Sequence, residues 1–167
     1  MKKIIIILLF LSFHSFSYAD KNIKIGSHGK LSDVSRTIKV KMYDNYYEPS
    51  FFNIKAGETI KFAVENFGEL VHEFNIANAL MHMQHQPEME KMVENEILFS
   101  DYIDKKKMKK MAKLDKSMGH SHSNSVLLAP KEKKNLIWKF HNTSNIEIAC
   151  NVPGHYQAGM IAKVTIK

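Results

Sequence analysis

The sequence predicts an all-β fold, a sandwich of short strands interrupted once by a partly helical insertion. Two observations carry this reading. Residues 36–76 and 126–167 alternate apolar and polar side chains, the period of a strand buried on one face. Residues 79–125, between them, lose that alternation and turn to Met, His, Lys and Glu.

The first nineteen residues stand apart. Lys2 and Lys3 precede an apolar run from Ile4 to Leu11, and Ser17-Tyr18-Ala19 offers a small-x-small cleavage site. They read as a secretory signal cleaved after Ala19, which places the mature chain in the periplasm. The run is too short to span a bilayer, and no later stretch approaches that length, so no transmembrane anchor is expected. Residues 20–35 read as a loosely ordered lead-in, and residues 36–167 as one domain containing the insertion.

In order, "RTIKVKMYD", "SFFNIKAG", "ETIKFAVEN" and "LVHEFNI" form the first group of strands, broken by the turn-like "AGE" and "NFGE". "SVLLA", "KNLIWKFHN", "IEIAC" and "MIAKVTIK" form the second. Within the insertion, "PEMEKMVENEILFSDYI" has apolar residues at helical spacing, with Pro87 placed to open the helix. "KKKMKKMAKL" reads as a second, short helix, and residues 117–125, "SMGHSHSNS", as a flexible loop.

The net charge is +7, and residues 104–116 alone hold seven Lys against two Asp. A helix of this kind can face solvent, an anionic surface or an acidic partner. No groove-reading motif accompanies it, so nucleic acid is not expected as a partner.

One cysteine in an exported chain cannot close an internal disulfide. Cys150 is therefore a small buried hydrophobe, a link between chains, or a metal ligand. Its neighbours favour the last. In "CNVPGHYQAGM" an imidazole follows the thiol by five residues and a thioether follows by five more. A blue-copper site needs a thiolate, two imidazoles and a weak axial thioether. Cys150, His155 and Met160 supply three of these, although a methionine here also suits a packed core. His72, just after a turn in "GELVHEFNI", fits as the second imidazole; its rival, His141 in "KFHNTS", falls at a turn between the last strands.

These residues match a family. "WKFHNTSNIEIACNVPGHYQAGM" resembles the C-terminal signature of the cupredoxins, the small blue-copper proteins, and "VHEFNI" resembles their upstream histidine strand. The likeness covers roughly residues 38–78 and 126–167. It implies a Greek-key antiparallel β-sandwich and one type 1 copper, cycling between Cu(II) and Cu(I), on His72, Cys150, His155 and Met160. Two features depart from the family pattern. Glu73 follows His72 where several subfamilies place Asn or Ser, and the insertion far exceeds the loop of a minimal cupredoxin.

Seven of the ten methionines and four of the nine histidines lie in the insertion. Thioethers suit Cu(I) and imidazoles suit either oxidation state. Met81, His82, Met83 and His85, with Met118, His120 and His122, are therefore candidates for a second copper site. Met89 with Met92, and Met108 with Met111, sit at helical spacing and read as packing.

Many cupredoxins linked to bacterial copper tolerance are similar in combining a signal peptide, this copper loop and extra Met/His-rich sequence. Two functions are consistent with the residues: copper tolerance, by binding or redox handling of copper, and soluble electron transfer. Each implies a periplasmic redox or copper-handling partner. Enzymatic activity is not expected: "HSH" at 120–122 is the only His-x-His pair, and no nucleophile motif is present.

Overall fold

The computed structural model describes residues 25–141 and 145–167. The expected signal, residues 1–19, and the start of the lead-in lie outside the described residues. The strands are β1 (Gly26–His28), β2 (Arg36–Tyr43), β3 (Tyr46–Glu48), β4 (Phe51–Ile54), β5 (Thr59–Asn66) and β6 (His72–Ala77), then β7 (Ser125–Leu128), β8 (Lys133–Phe140), β9 (Glu147–Ala149) and β10 (Ile161–Ile166). Two helices, α1 (Ala79–Glu94) and α2 (Lys105–Met111), lie between β6 and β7.

The strands form two five-stranded sheets, ordered β1-β8-β5-β2-β3 and β4-β10-β9-β6-β7. Pairing is antiparallel except between β2 and β5 and between β4 and β10. The parallel pairs arise because the chain leaves the first sheet at β3, crosses to the second for β4, and returns. Phe52, Phe62, Phe74 and Phe140 are buried between the sheets, with the Phe62 and Phe74 rings 5.1 Å apart. This is the sandwich that the alternation predicts, because only one face of each such strand can be buried between sheets.

The lead-in is not loose over residues 25–35. Ile25 is buried, and β1 pairs with β8 from Gly26↔Phe140 to His28↔Trp138. A three-residue strand is too short to show alternation, as is β3.

The insertion is helical, with different bounds from those its sequence suggests. Helix α1 begins eight residues before Pro87, where the Asn78 side chain caps it by accepting from the Met81 N–H at 2.8 Å. Pro87 lies inside the helix on its exposed side, so the carbonyl it leaves unpaired can reach water. The buried side chains of α1 are His82, His85, Met89 and Met92, spaced 3, 4 and 3 residues apart along one face. Asp104 caps α2 in the same manner, accepting from Lys107 N. Lys105 and Lys107 of α2 form ion pairs with Glu132 and Glu96.

Nor is the segment after α2 a loose loop. Residues 116–119 form a single 3-10 turn with Met118 buried in the core. That turn and α1 cover the outer face of the second sheet, and all six residues of β6 are buried as a result. Among the described residues no helix is long and apolar enough to cross a membrane.

Candidate metal centre

At the end of the sandwich, β6 starts with His72 and β9 runs into Cys150. The loop that follows folds tightly back on itself. His155 N donates to Val152 O at 2.9 Å, Met160 N to His155 O at 3.0 Å, and Cys150 N to Met160 O at 3.2 Å. Gly154 and Gly159 both adopt φ of +88°, a left-handed conformation that side chains rarely take. The loop brings His155 Nδ1 to 3.4 Å from Cys150 Sγ, and His72 Nδ1 lies 4.0 Å from the same sulfur. Met160 is fully buried at the end of the same loop, and its backbone is tied to both Cys150 and His155.

Asp44 orients His72. Its Oδ1 lies 2.9 Å from His72 Nε2, which leaves Nδ1 free to face the sulfur. The carboxylate is held in turn by the backbone N–H groups of Glu69 and Leu70. Burial would raise the Asp44 pKa, but the His72 hydrogen bond and these amides hold it below the usual value. A Cβ at Gly68 would come within 2.2 Å of Asp44 Oδ1 and 3.0 Å of His72 Nε2, so only glycine fits there.

The electrostatics suit a cation. Burial lowers the pKa of both His72 and His155, keeping each neutral with a ligating lone pair available. Burial pushes the Cys150 thiol up to about 12, against the hydrogen bond that Glu73 N donates to the sulfur at 3.3 Å. A thiol so placed ionises when a metal ion displaces its proton. One soft sulfur and two imidazole nitrogens, all within 4.8 Å of one another, fit copper. His141, the rival, is not in this group.

A second cluster lies behind the first. Successive residues of a strand point to opposite faces. In β6, His72 faces the first group and Glu73 faces outward, beneath the insertion. Glu73 is fully buried and accepts five hydrogen bonds. Its Oε1 receives Asn75 Nδ2 at 3.0 Å, His85 Nε2 at 3.0 Å and His120 Nε2 at 2.8 Å, and its Oε2 receives Asn151 N and Nδ2 at 3.2 and 2.8 Å. Burial alone would raise its pKa, but the hydrogen bonds from His120 and His85 hold it well below the usual range. His85 Nδ1 also meets Glu88 Oε2 at 2.9 Å, and His122 Nε2 meets the same oxygen at 3.0 Å. A cavity of about 200 Å³, lined in part by Met81, His85, Glu88 and His122, opens beside them.

Of the insertion residues singled out by sequence, His85, His120 and His122 therefore converge. Met81 lines the cavity. His82 is buried nearby, accepting at Nδ1 from Asn151 Nδ2 at 3.1 Å, and its Nε2 has no partner among the described residues. Met83 is not brought in: two residues from His85 it lies round the far side of α1, 62% exposed. Met118 packs in the apolar core, as do Met89 and Met92, with Met108 and Met111 against it. Sequence reasoning missed Asp44, Gly68, Glu88 and Asn151, and registered Glu73 only as a departure from a pattern. One signal was available for Glu73: an acid inside a strand with no outward alternation around it must find partners.

Two facing sheets with a buried thiol and two imidazoles at one end define a class of metal-binding β-sandwich. Residues 34–167 match the model of the copper binding proteins of the plastocyanin/azurin family. The chain is 39% identical over 148 residues to the copper-resistant cuproprotein CopI of Pseudomonas aeruginosa, covering 85% of this chain and 82% of that one. It is 27% identical over 158 residues to the protein of the same name from Rubrivivax gelatinosus, covering 93% and 82%. Auracyanin B superposes with a TM-score of 0.60 at 12% identity, covering 85% of this chain and 96% of that one. An auracyanin from Roseiflexus castenholzii gives 0.56 at 16%, covering 80% and 98%. The chain belongs to the plastocyanin/azurin family of copper binding proteins, the cupredoxins to which its loop and histidine strand are similar.

Proposed function

We propose that this protein confers copper tolerance in the periplasm by holding copper at two adjoining sites. The first would be a type 1 centre, held by His72, Cys150, His155 and Met160. Copper held by these residues would supply one-electron exchange between Cu(II) and Cu(I). The second uses Glu73, His85 and His120 with Glu88 and His122, beneath the insertion. Export rests on the first nineteen residues, with cleavage after Ala19.

The observation that carries the proposal is the second cluster. An electron carrier needs one copper, whereas this chain packs five more ligand-type side chains behind the first group and opens a cavity to them. Its relatives from Pseudomonas aeruginosa and Rubrivivax gelatinosus carry the name copper-resistant cuproprotein. One feature favours the second reading, electron transfer: His155 is only partly covered, and Pro153 and Ala158 beside it are exposed, which would let an apolar partner approach the copper edge.

Growth of a deletion strain across a copper series tests the choice. Sensitivity specific to copper, cured by the wild-type gene and not by a Cys150→Ala, His85→Ala double variant, is the expected result. Normal growth in copper overturns tolerance and directs attention to a respiratory partner.

A further inference from the structure

The two clusters meet in one residue. Glu73 donates its backbone N–H to Cys150 Sγ at 3.3 Å, and its side chain holds His85 and His120 at 3.0 and 2.8 Å. A second link runs through Asn151, the residue after Cys150, whose backbone N–H and side-chain amide both donate to Glu73 Oε2 at 3.2 and 2.8 Å. The carboxylate is fully buried, so solvent screens its field at the sulfur far less than it would at the surface.

We infer that Glu73 couples the two sites, so that a divalent cation held by Glu73, His85 and His120 moves the thiolate-to-copper absorption of the first site and raises its reduction potential. The inference rests on the two-site reading above and adds to it a direction of influence. With the second site free, a buried negative charge beside the thiolate favours the oxidised copper, which carries the extra positive charge. A cation taking Glu73 Oε1 and the two facing imidazole nitrogens offsets that charge. It also weakens the pull of the carboxylate on the Asn151 amide, and so alters the setting of the neighbouring sulfur. Hydrogen bonds and charge around a copper-bound thiolate are what set its potential. Glu73 is here a positioning residue and touches the first copper only through the sulfur.

Zn(II) tests this, because it is colourless and holds one oxidation state. Protein carrying one Cu(II) is titrated with Zn(II) while bound zinc is measured by equilibrium dialysis and the visible band and potential are recorded. The expected result is one equivalent of zinc bound, a shifted band of unchanged integrated intensity, and a raised potential, all with the same half-saturation. Glu73→Gln, which keeps the side-chain volume and the backbone N–H, should start at the raised potential and show no response to zinc. Should that variant not fold, His85→Ala serves, and it too should lose the zinc response. Zinc binding with an unmoved band overturns the coupling and leaves the two-site reading standing. Loss of band intensity, meaning displaced copper, also counts against the coupling. No zinc bound overturns the two-site reading and the coupling with it.

Discussion

The copper loop and the insertion cluster lie on opposite faces of one strand end, yet they are built from opposite materials. The first group is neutral and soft: a thiol that burial keeps protonated and two imidazoles that burial keeps uncharged, on elements of the sandwich itself. The second combines two carboxylates with three imidazoles, four of the five supplied by α1 and by the segment that follows the 116–119 turn. The first is fixed by tight backbone hydrogen bonding within the loop from Cys150 to Met160, while the second opens on a cavity. On the proposal above, the family scaffold supplies the redox pocket and the insertion the second cation site; what the geometry itself teaches is that one strand end presents a tightly bonded ligand-type group on one face and an open one on the other.

Reciprocal variants give the largest expected effects. Cys150→Ala should abolish the visible charge-transfer band entirely while one copper equivalent still binds under the insertion. His85→Ala should keep a charge-transfer band and lose one copper equivalent. Absorption together with metal analysis checks both, and a single variant that empties both sites would break the separation.

A smaller effect is expected at Asp44. Removing the carboxylate that orients a ligating imidazole typically lowers metal affinity by about 10- to 100-fold. Asp44→Ala should therefore weaken copper at the first site by that order in a chelator competition, with the insertion site unchanged. An equal loss at both sites would mean that Asp44 supports the fold rather than His72.

The smallest effect lies far from either site. Arg36 and Glu58 pair at 2.7 Å across the first sheet, and this hydrogen bond outweighs burial to hold Glu58 below its usual pKa. A depressed folded pKa contributes stability that is fully present above the ordinary glutamate value, about 4.3, and is lost as pH falls on through the lower folded value. Arg36 is 45% exposed, so solvent screening limits Glu58→Gln to less than about 1 kcal/mol at pH 7. Once the pH lies below that depressed value the variant and the parent should unfold alike, as chemical denaturation at pH 7 and in acid would show. Neither metal site should respond.

The meeting of Cys150 with His155 and the two runs of alternating strands were legible because they are local: a loop that folds back on itself and a period-two pattern each lie within a few consecutive residues. His72 was legible because it opens a strand just after a turn. Helix α1 was placed too late because Pro87 looked like a start signal, whereas the Asn78 cap and the run of good helix formers after it decide where the helix begins.

What the sequence alone determined was the sandwich, the thiolate loop and the presence of excess soft and imidazole ligands. Only the tertiary structure decided which of them meet. Asp44 reaches His72 across 28 residues, and Glu73 reaches His120 across 47. Neither pair leaves a periodic trace in the chain, because a side chain's partner across a fold depends on how distant elements pack. Glu73 makes the point most sharply. As a letter it is one acid in a strand; covered by the insertion, it must be fully hydrogen-bonded, and the donors available to it are His85 and His120 of the insertion on one side and Asn151, the neighbour of Cys150, on the other.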